Sequence, residues 1–431
     1  LLIEKNKTKP GKRTWLLVGI FTSIGVLSYF KYFNFFIDSL INLLDLVGFS
    51  IQKPILNIIL PLGISFYIFL SISYIFDIYR NKLKACTNVV DVLLALGFFP
   101  IILAGPIHRP ISLLAQIQRR RTFDYSLATD GLKQILWGLF MKIVIADRCA
   151  ILVNDIFQNF SNYNGSKLFF GGLLFTVQIY ADFAGYSLIA IGTAKLLGFE
   201  LIKNFNYPYF ATNIADFWKR WHISLTSWFR DYVFIPIAYS VSRMIPSEKV
   251  WFIKTDYLIY AIGISITWFF TGLWHGANST FILWGLMNGF LLIVYRISSK
   301  PLKRLAKNMK VSKNNIFMIS FERIIIILVI IFSWIVFRAE NIGHAISFIS
   351  QIFSPSFFSW PKFSDPLDVY ITLLFICIFM VVEWLGREQH HAIANIGTKW
   401  NRILRYSFYY AILMAIIWLG GNEVQFIYFQ F

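Results

Sequence analysis

Apolar stretches long enough to cross a lipid bilayer recur from one end of this chain to the other, and they constrain its fold more than any other feature. A spanning helix needs roughly 20 predominantly apolar residues. Runs of about that length fall at 15–37, 54–76, 89–107, 132–157, 168–198, 257–274, 280–295, 321–337, 367–384 and 404–419. Charged residues make up only 14% of the 431 residues, against about 25% in an ordinary soluble domain. The expected fold is an all-α polytopic membrane protein with about ten transmembrane or re-entrant helical segments. No repeat and no long linker divides the chain, so a single integral-membrane domain over 1–431 is expected.

Not every stretch reads as a simple span. The run 89–107 contains Gly97, Pro100, Gly105 and Pro106, which suit a segment that breaks and turns back behind protein. A full crossing there would put Arg109 and Arg119–Arg121 on the side opposite Arg80, so a re-entrant segment is expected. Lys142, Asp147 and Arg148 interrupt 132–157, and Asp182 lies near the middle of 168–198. The region 206–236 mixes many aromatic rings with Asp216, Lys219, Arg220, His222, Arg230 and Asp231. That is too charged for lipid and too aromatic for a solvated loop. It predicts helical pieces at the interface or beside a cavity, with Asp216 and Arg220 paired four residues apart.

The charge balance, 40 Lys+Arg against 22 Asp+Glu, would suggest nucleic acid in a soluble protein. Here it fits basic cytoplasmic loops, as at 296–313, where seven Lys and Arg occur without an acid. No nucleic-acid partner is expected; the partner is the lipid bilayer, including its anionic headgroups. Cys86, Cys149 and Cys377 form no paired motif, and His390-His391 lacks nearby ligands, so no metal site is expected.

Ionisable groups within the bilayer are functional candidates, because each costs roughly 2.5–3.5 kcal/mol to insert. His275 lies in Thr271-Gly272-Leu273-Trp274-His275-Gly276-Ala277-Asn278, between two spans. A neutral imidazole there could accept a proton from a hydroxyl, small neighbours could admit substrate, and Asn278 could bond the ring or a carbonyl. The competing reading is a histidine that merely packs at a helix junction. His222, in Trp218-Lys219-Arg220-Trp221-His222, could carry a second proton or hold substrate, or the segment could be an interfacial anchor. Its basic residues could instead bind the phosphates of a donor. Asp182 needs a Lys or Arg partner from another helix, or a histidine to orient.

Together these segments resemble the membrane-bound O-acyltransferase family, in particular the membrane components of bacterial alginate and peptidoglycan O-acetylation. The likeness rests on Asn204-Phe205-Asn206-Tyr207-Pro208-Tyr209, Phe217-Trp218-Lys219-Arg220-Trp221-His222-Ile223-Ser224-Leu225, Trp228-Phe229-Arg230-Asp231-Tyr232 and Thr271–Ala277. Gly105–Arg109, Phe337–Glu340 and Phe426–Phe431 support it more weakly. The chain departs from the family pattern at Leu188, where Asp is usual, and at Ala238-Tyr239, where a glycine pair is usual. It also lacks an initiator methionine, and the first N-terminal membrane segments are expected to be missing.

The resemblance implies a central tunnel or funnel, His275 as the essential histidine and His222 as a second catalytic one. Asn278, Asp182, Trp274, Arg220, Arg230 and Asp231 are expected to bind substrate or support the site. It implies no bound cofactor, with acetyl-CoA or another acyl thioester as donor substrate. The expected function is transfer of an acyl group, taken to be acetyl, from a cytoplasmic thioester to a hydroxyl of a cell-surface polysaccharide or partner protein. A bacterial inner-membrane location and an extracytoplasmic acyltransferase partner follow. Two alternatives are D-alanyl transfer to teichoic acid and, in another class, a polysaccharide or lipid transporter with an intramembrane proton relay.

Overall fold

The computed structural model describes residues 1–49, 61–308, 315–420 and 424–427. Most of them are helical, as an apolar chain must be where no water can satisfy the backbone. Among the described residues the only strands are Lys249–Val250 and Ile253–Lys254, paired antiparallel. Among the described residues seven helices are long and apolar enough to cross a membrane: Lys9–Leu46, Gly165–Leu196, Thr255–His275, Ser279–Arg304, Ile316–Arg338, Pro366–Leu385 and Arg402–Leu419. Ile64–Tyr79 and Ile342–Ile352 are shorter apolar helices. The chain is thus an all-α polytopic membrane protein.

Asparagine recurs at helix starts, where its short side chain accepts from an otherwise unbonded N–H. Asn164 takes the amide of Lys167, Asn341 that of His344, and Asn401 that of Leu404. The helices then sort by what surrounds them. Of the apolar window in Gly165–Leu196, 78% is buried by protein; in Arg402–Leu419 only 6% is. The first is a central post and the second belongs to a lipid-facing rim. Tyr125–Leu139 packs along the central post, with Gly131 against Gly192 and Gly138 against Gly185 bringing the two backbones together.

The segment 89–107 breaks, as its glycines and prolines suggest. Val89–Leu96 is followed by the single turn Phe99–Ile102 and, past Pro106, by Pro110–Gln118. An eight-residue helix is about 12 Å long, far short of a roughly 30 Å hydrocarbon core. The ionic interruption of 132–157 is absorbed differently. The helix continues through it, with a π-helical stretch at Phe140–Ala146. Lys142 pairs with Asp147 at 2.7 Å and with Asp182 of the central post at 2.9 Å, and Arg148 pairs with Asp368. Residues 54–60 of the second expected span, 309–314 of the basic run and 428–431 of the C-terminal motif lie outside the described residues.

Candidate active site

Two long helices and a run of short ones enclose a cavity of about 410 Å³, within the range of ordinary small-molecule sites. The long helices are Thr255–His275 and Ser279–Asn308, joined by the tight turn Gly276–Asn278. The short pieces are Ile214–Arg220, Ile223–Phe229 and the π-helical Arg230–Phe234. The polar, ring-rich region 206–236 is therefore not a span: it folds into one wall of the cavity. Trp218, Trp221, Trp268 and Trp284 make its lining largely apolar, and His222 and His275 both face it.

His275 is the last residue of its helix. The two long helices cross closely just below it. A Cβ on Gly272 would strike the Phe281 carbonyl, and one on Gly285 the Trp268 carbonyl. A Cβ on Gly276 would meet the Phe281 ring. These small residues thus bring helix to helix, which corrects the expectation that they leave room for substrate. The imidazole stands edge-on to Trp284 at 5.0 Å and to Phe337 at 5.1 Å between centroids, with Trp274 at 4.9 Å. Its orientation is fixed by rings, and one side remains on the cavity.

His222 is almost fully buried and adopts a left-handed backbone, φ 42° and ψ 54°. For a residue with a Cβ that conformation costs roughly 1–2 kcal/mol. The extended segment at 204–206 holds it there: Ile223 N–H donates to the Asn204 carbonyl at 2.8 Å, and Asn206 N–H to that of Arg220 at 2.9 Å. Asn204 also fixes the ring. Its Oδ1 accepts from Ser224 Oγ at 2.8 Å and faces the Ser224 backbone N–H, so the oxygen of the amide points this way. His222 Nδ1, 2.9 Å from the same oxygen, must then be the protonated nitrogen. That leaves Nε2 as the acceptor. Both imidazoles line the same cavity.

The other expected site residues are distributed unevenly. Arg230 lines the cavity, as does Lys219. Trp274 lies beneath it, stacked on Phe69 at 5.4 Å and 6.2 Å from the His222 ring. Arg220 is tied to Asp216 at 3.0 Å, the expected helix pair, and does not line the cavity. Asp231 braces the π-helical stretch: its carboxylate accepts from Arg109 at 3.0 Å and from Arg230 at 2.9 Å. Asn278 faces away, donating to the Glu340 carbonyl at 2.7 Å and accepting from Thr280 N–H at 3.0 Å. Asp182 lies behind the site. Besides Lys142 it accepts the N–H of Ile427 at 2.7 Å, pinning the C-terminal segment to the central post; its neighbour Phe183 packs edge-on against His222 at 4.6 Å. Of the partners weighed for Asp182, the lysine on another helix is the one found.

Several residues near the site carry no signal in the motifs. Lys31 and Tyr32 of the first long helix reach the end of the His275 helix. Glu383 is a buried carboxylate accepting from Tyr180 OH at 2.6 Å and Trp137 Nε1 at 3.0 Å; an acid inside the apolar run 367–384 was its only sequence mark. Three of the four remaining histidines are engaged elsewhere. His108 bonds Ser112, His344 stacks on Phe160, and His391 bonds Asp130 at 2.9 Å. His391 and Lys195 hold the Asp130 carboxyl well below the usual carboxylate range. Among the described residues no group of three or more His, Cys, Asp or Glu is gathered as a metal site.

A buried basic nitrogen in an apolar, ligand-sized chamber suits proton removal from a hydroxyl, and the relatives match that chemistry. Residues 87–255 match the model of the membrane-bound O-acyltransferase family. The chain is 32% identical to the probable alginate O-acetylase of Pseudomonas putida over 99% of its own length and 86% of that protein. It is 35% identical to the probable alginate O-acetylase of Pseudomonas aeruginosa, over 89% and 69% respectively. To the peptidoglycan O-acetyltransferase of Helicobacter pylori it is 31% identical, over 80% and 66%. The chain belongs to the membrane-bound O-acyltransferase family and is a multi-pass membrane O-acyltransferase.

Proposed function

We propose that this protein moves an acetyl group from a cytoplasmic acyl thioester, such as acetyl-CoA, to a hydroxyl on a polysaccharide or an extracytoplasmic partner protein, in a bacterial inner membrane. The observation that carries the reading is that His275 and His222 share one ligand-sized cavity. His275 accepts the hydroxyl proton as the oxygen attacks the thioester carbonyl. The C–S bond breaks, the ester forms, and the departing thiolate takes the proton back from the imidazolium. His222, with its Nε2 lone pair set by Asn204, stabilises or relays charge beside it. Lys219 and Arg230 on the cavity wall suit the phosphates of a nucleotide or pantetheine donor. Asn278 is left out of the oxyanion role, because its amide is committed to Glu340 and Thr280.

The test is transfer by purified protein in proteoliposomes supplied with a radiolabelled acetyl thioester on one side and acceptor on the other. Label in ester linkage to the acceptor supports the reading. Transfer only from a D-alanyl thioester would move the assignment to aminoacyl chemistry. Passage of an unmodified sugar or lipid, with no label transferred, would favour a transporter.

A further inference from the structure

The His275 helix does not end as helices usually do. Its final carbonyls lack intrahelical donors, and Gly276 leaves it in an extended conformation, φ −175° and ψ 167°. Three successive carbonyls are instead met by two side chains more than 240 residues away in sequence. Tyr32 OH donates to Leu273 O at 2.8 Å. Lys31 Nζ donates to Trp274 O at 2.7 Å and to His275 O at 3.1 Å. The ammonium stands at the negative end of the helix dipole, where a cation is favoured, and 5.8 Å from the Trp274 ring.

The two adjacent residues that serve this one target lie in a local irregularity. Here the first long helix passes through a π-helical stretch at Ser28–Tyr32, and both side chains converge on the same helix end. Such insertions are often retained at functional positions.

We propose that Lys31 and Tyr32 are positioning residues for His275. They fix the backbone from which the imidazole projects, so that the ring is set between Trp274, Trp284 and Phe337 and aimed into the cavity. The inference rests on the reading of His275 as the proton acceptor. Lys31 touches no reacting atom in this account; it acts through the carbonyl of the residue that does. Misplacing a reacting group by about 1 Å can cost on the order of 10²-fold in rate.

The experiment compares Lys31→Met, Lys31→Arg, Tyr32→Phe and His275→Ala in proteoliposomes, with activity normalised to folded protein by thermal melting. Lys31→Met should lower kcat ~10–100-fold while KM for the thioester stays within ~2-fold, since alignment rather than binding is lost. Lys31→Arg, which keeps donors and charge, should recover most of that loss. Tyr32→Phe, which removes one hydroxyl, should lower kcat ~2–5-fold with the same unchanged KM; it keeps the test open if Lys31→Met does not fold. Normal kcat in both Lys31→Met and Tyr32→Phe, with His275→Ala inactive, overturns the positioning role alone. A rise in KM without a fall in kcat overturns it too, because Lys31 would then be binding donor. Substantial activity in His275→Ala removes the underlying reading instead.

Discussion

The hydrogen bonds that seat His222 come from residues close to it in sequence, whereas the helix end that carries His275 is capped from across the chain. Asn204, 18 positions upstream, and Ser224, two downstream, fix the His222 tautomer, and the backbone of 204–206 clamps the strained turn. His275 takes its orientation from Trp284, Phe337 and the end of a helix capped by Lys31. A local seat folds with its own segment. A long-range seat exists only once the first, middle and late helices have assembled. The contrast suggests a division of labour, with His222 built into the wall and His275 set by the docking of surrounding elements.

The sharpest way to break that contrast is to remove each ring. His275→Ala should cut turnover at least ~100-fold, as loss of general-base catalysis implies, while leaving the melting temperature near that of wild type. His222→Ala should reduce turnover less and lower thermal stability as well, because the clamp loses its centre. Equal kinetic losses with no stability difference would erase the distinction.

Next in size is the ionic support behind His222. Asp182→Asn removes a buried charge from its contacts with Lys142 and the Ile427 N–H; Lys142 keeps Asp147, so the cost should be about 1–3 kcal/mol. Size-exclusion profiles in detergent should show less monodisperse protein. Normal folding of the variant would mean the C-terminal segment is not held through Asp182. Asn204→Ala should then cost a smaller ~10-fold in turnover, in line with loss of a partner that orients a catalytic histidine, and Asn204→Asp should restore part of it.

The smallest effect is expected at Asp130, away from both histidines. Its carboxyl is depressed in the folded state by His391 and Lys195. Its contribution is therefore complete above the unfolded value of about 3.9 and fades as pH falls through the lower folded value. Asp130→Asn should lower the melting temperature at pH 7, with the gap closing toward acid and turnover within ~2-fold of wild type. A large kinetic loss would place part of the chemistry outside the cavity.

What the sequence made legible follows the same local-versus-distant divide. The expected spans 257–274, 321–337 and 367–384 correspond to Thr255–His275, Ile316–Arg338 and Pro366–Leu385, because apolar run length is a local quantity. The break in 89–107 was readable from its glycines and prolines, and the Asp216–Arg220 pair from its spacing. Asn278 was misjudged because proximity to His275 in sequence said nothing about Glu340, whose carbonyl takes its amide. Lys31 was invisible for a related reason: it bonds backbone carbonyls, which every residue has, so no pattern marks its target. The π-helical stretches at 28–32 and 140–146 each carry a cation used in tertiary contacts, Lys31 and Lys142, and that at 230–234 carries Arg230 on the cavity wall. They change side-chain direction without changing composition, and so leave no periodic trace.

The most direct measurement is a structure of the protein with a non-transferable acetyl thioester analogue. The analogue should lie in the cavity between the Ile214–Phe229 wall and the Thr255–His275 helix, with His275 within ~2.6–3.2 Å of the position the acceptor hydroxyl would take. An analogue bound elsewhere, with the cavity closed by side chains in the complex, would contradict this reading.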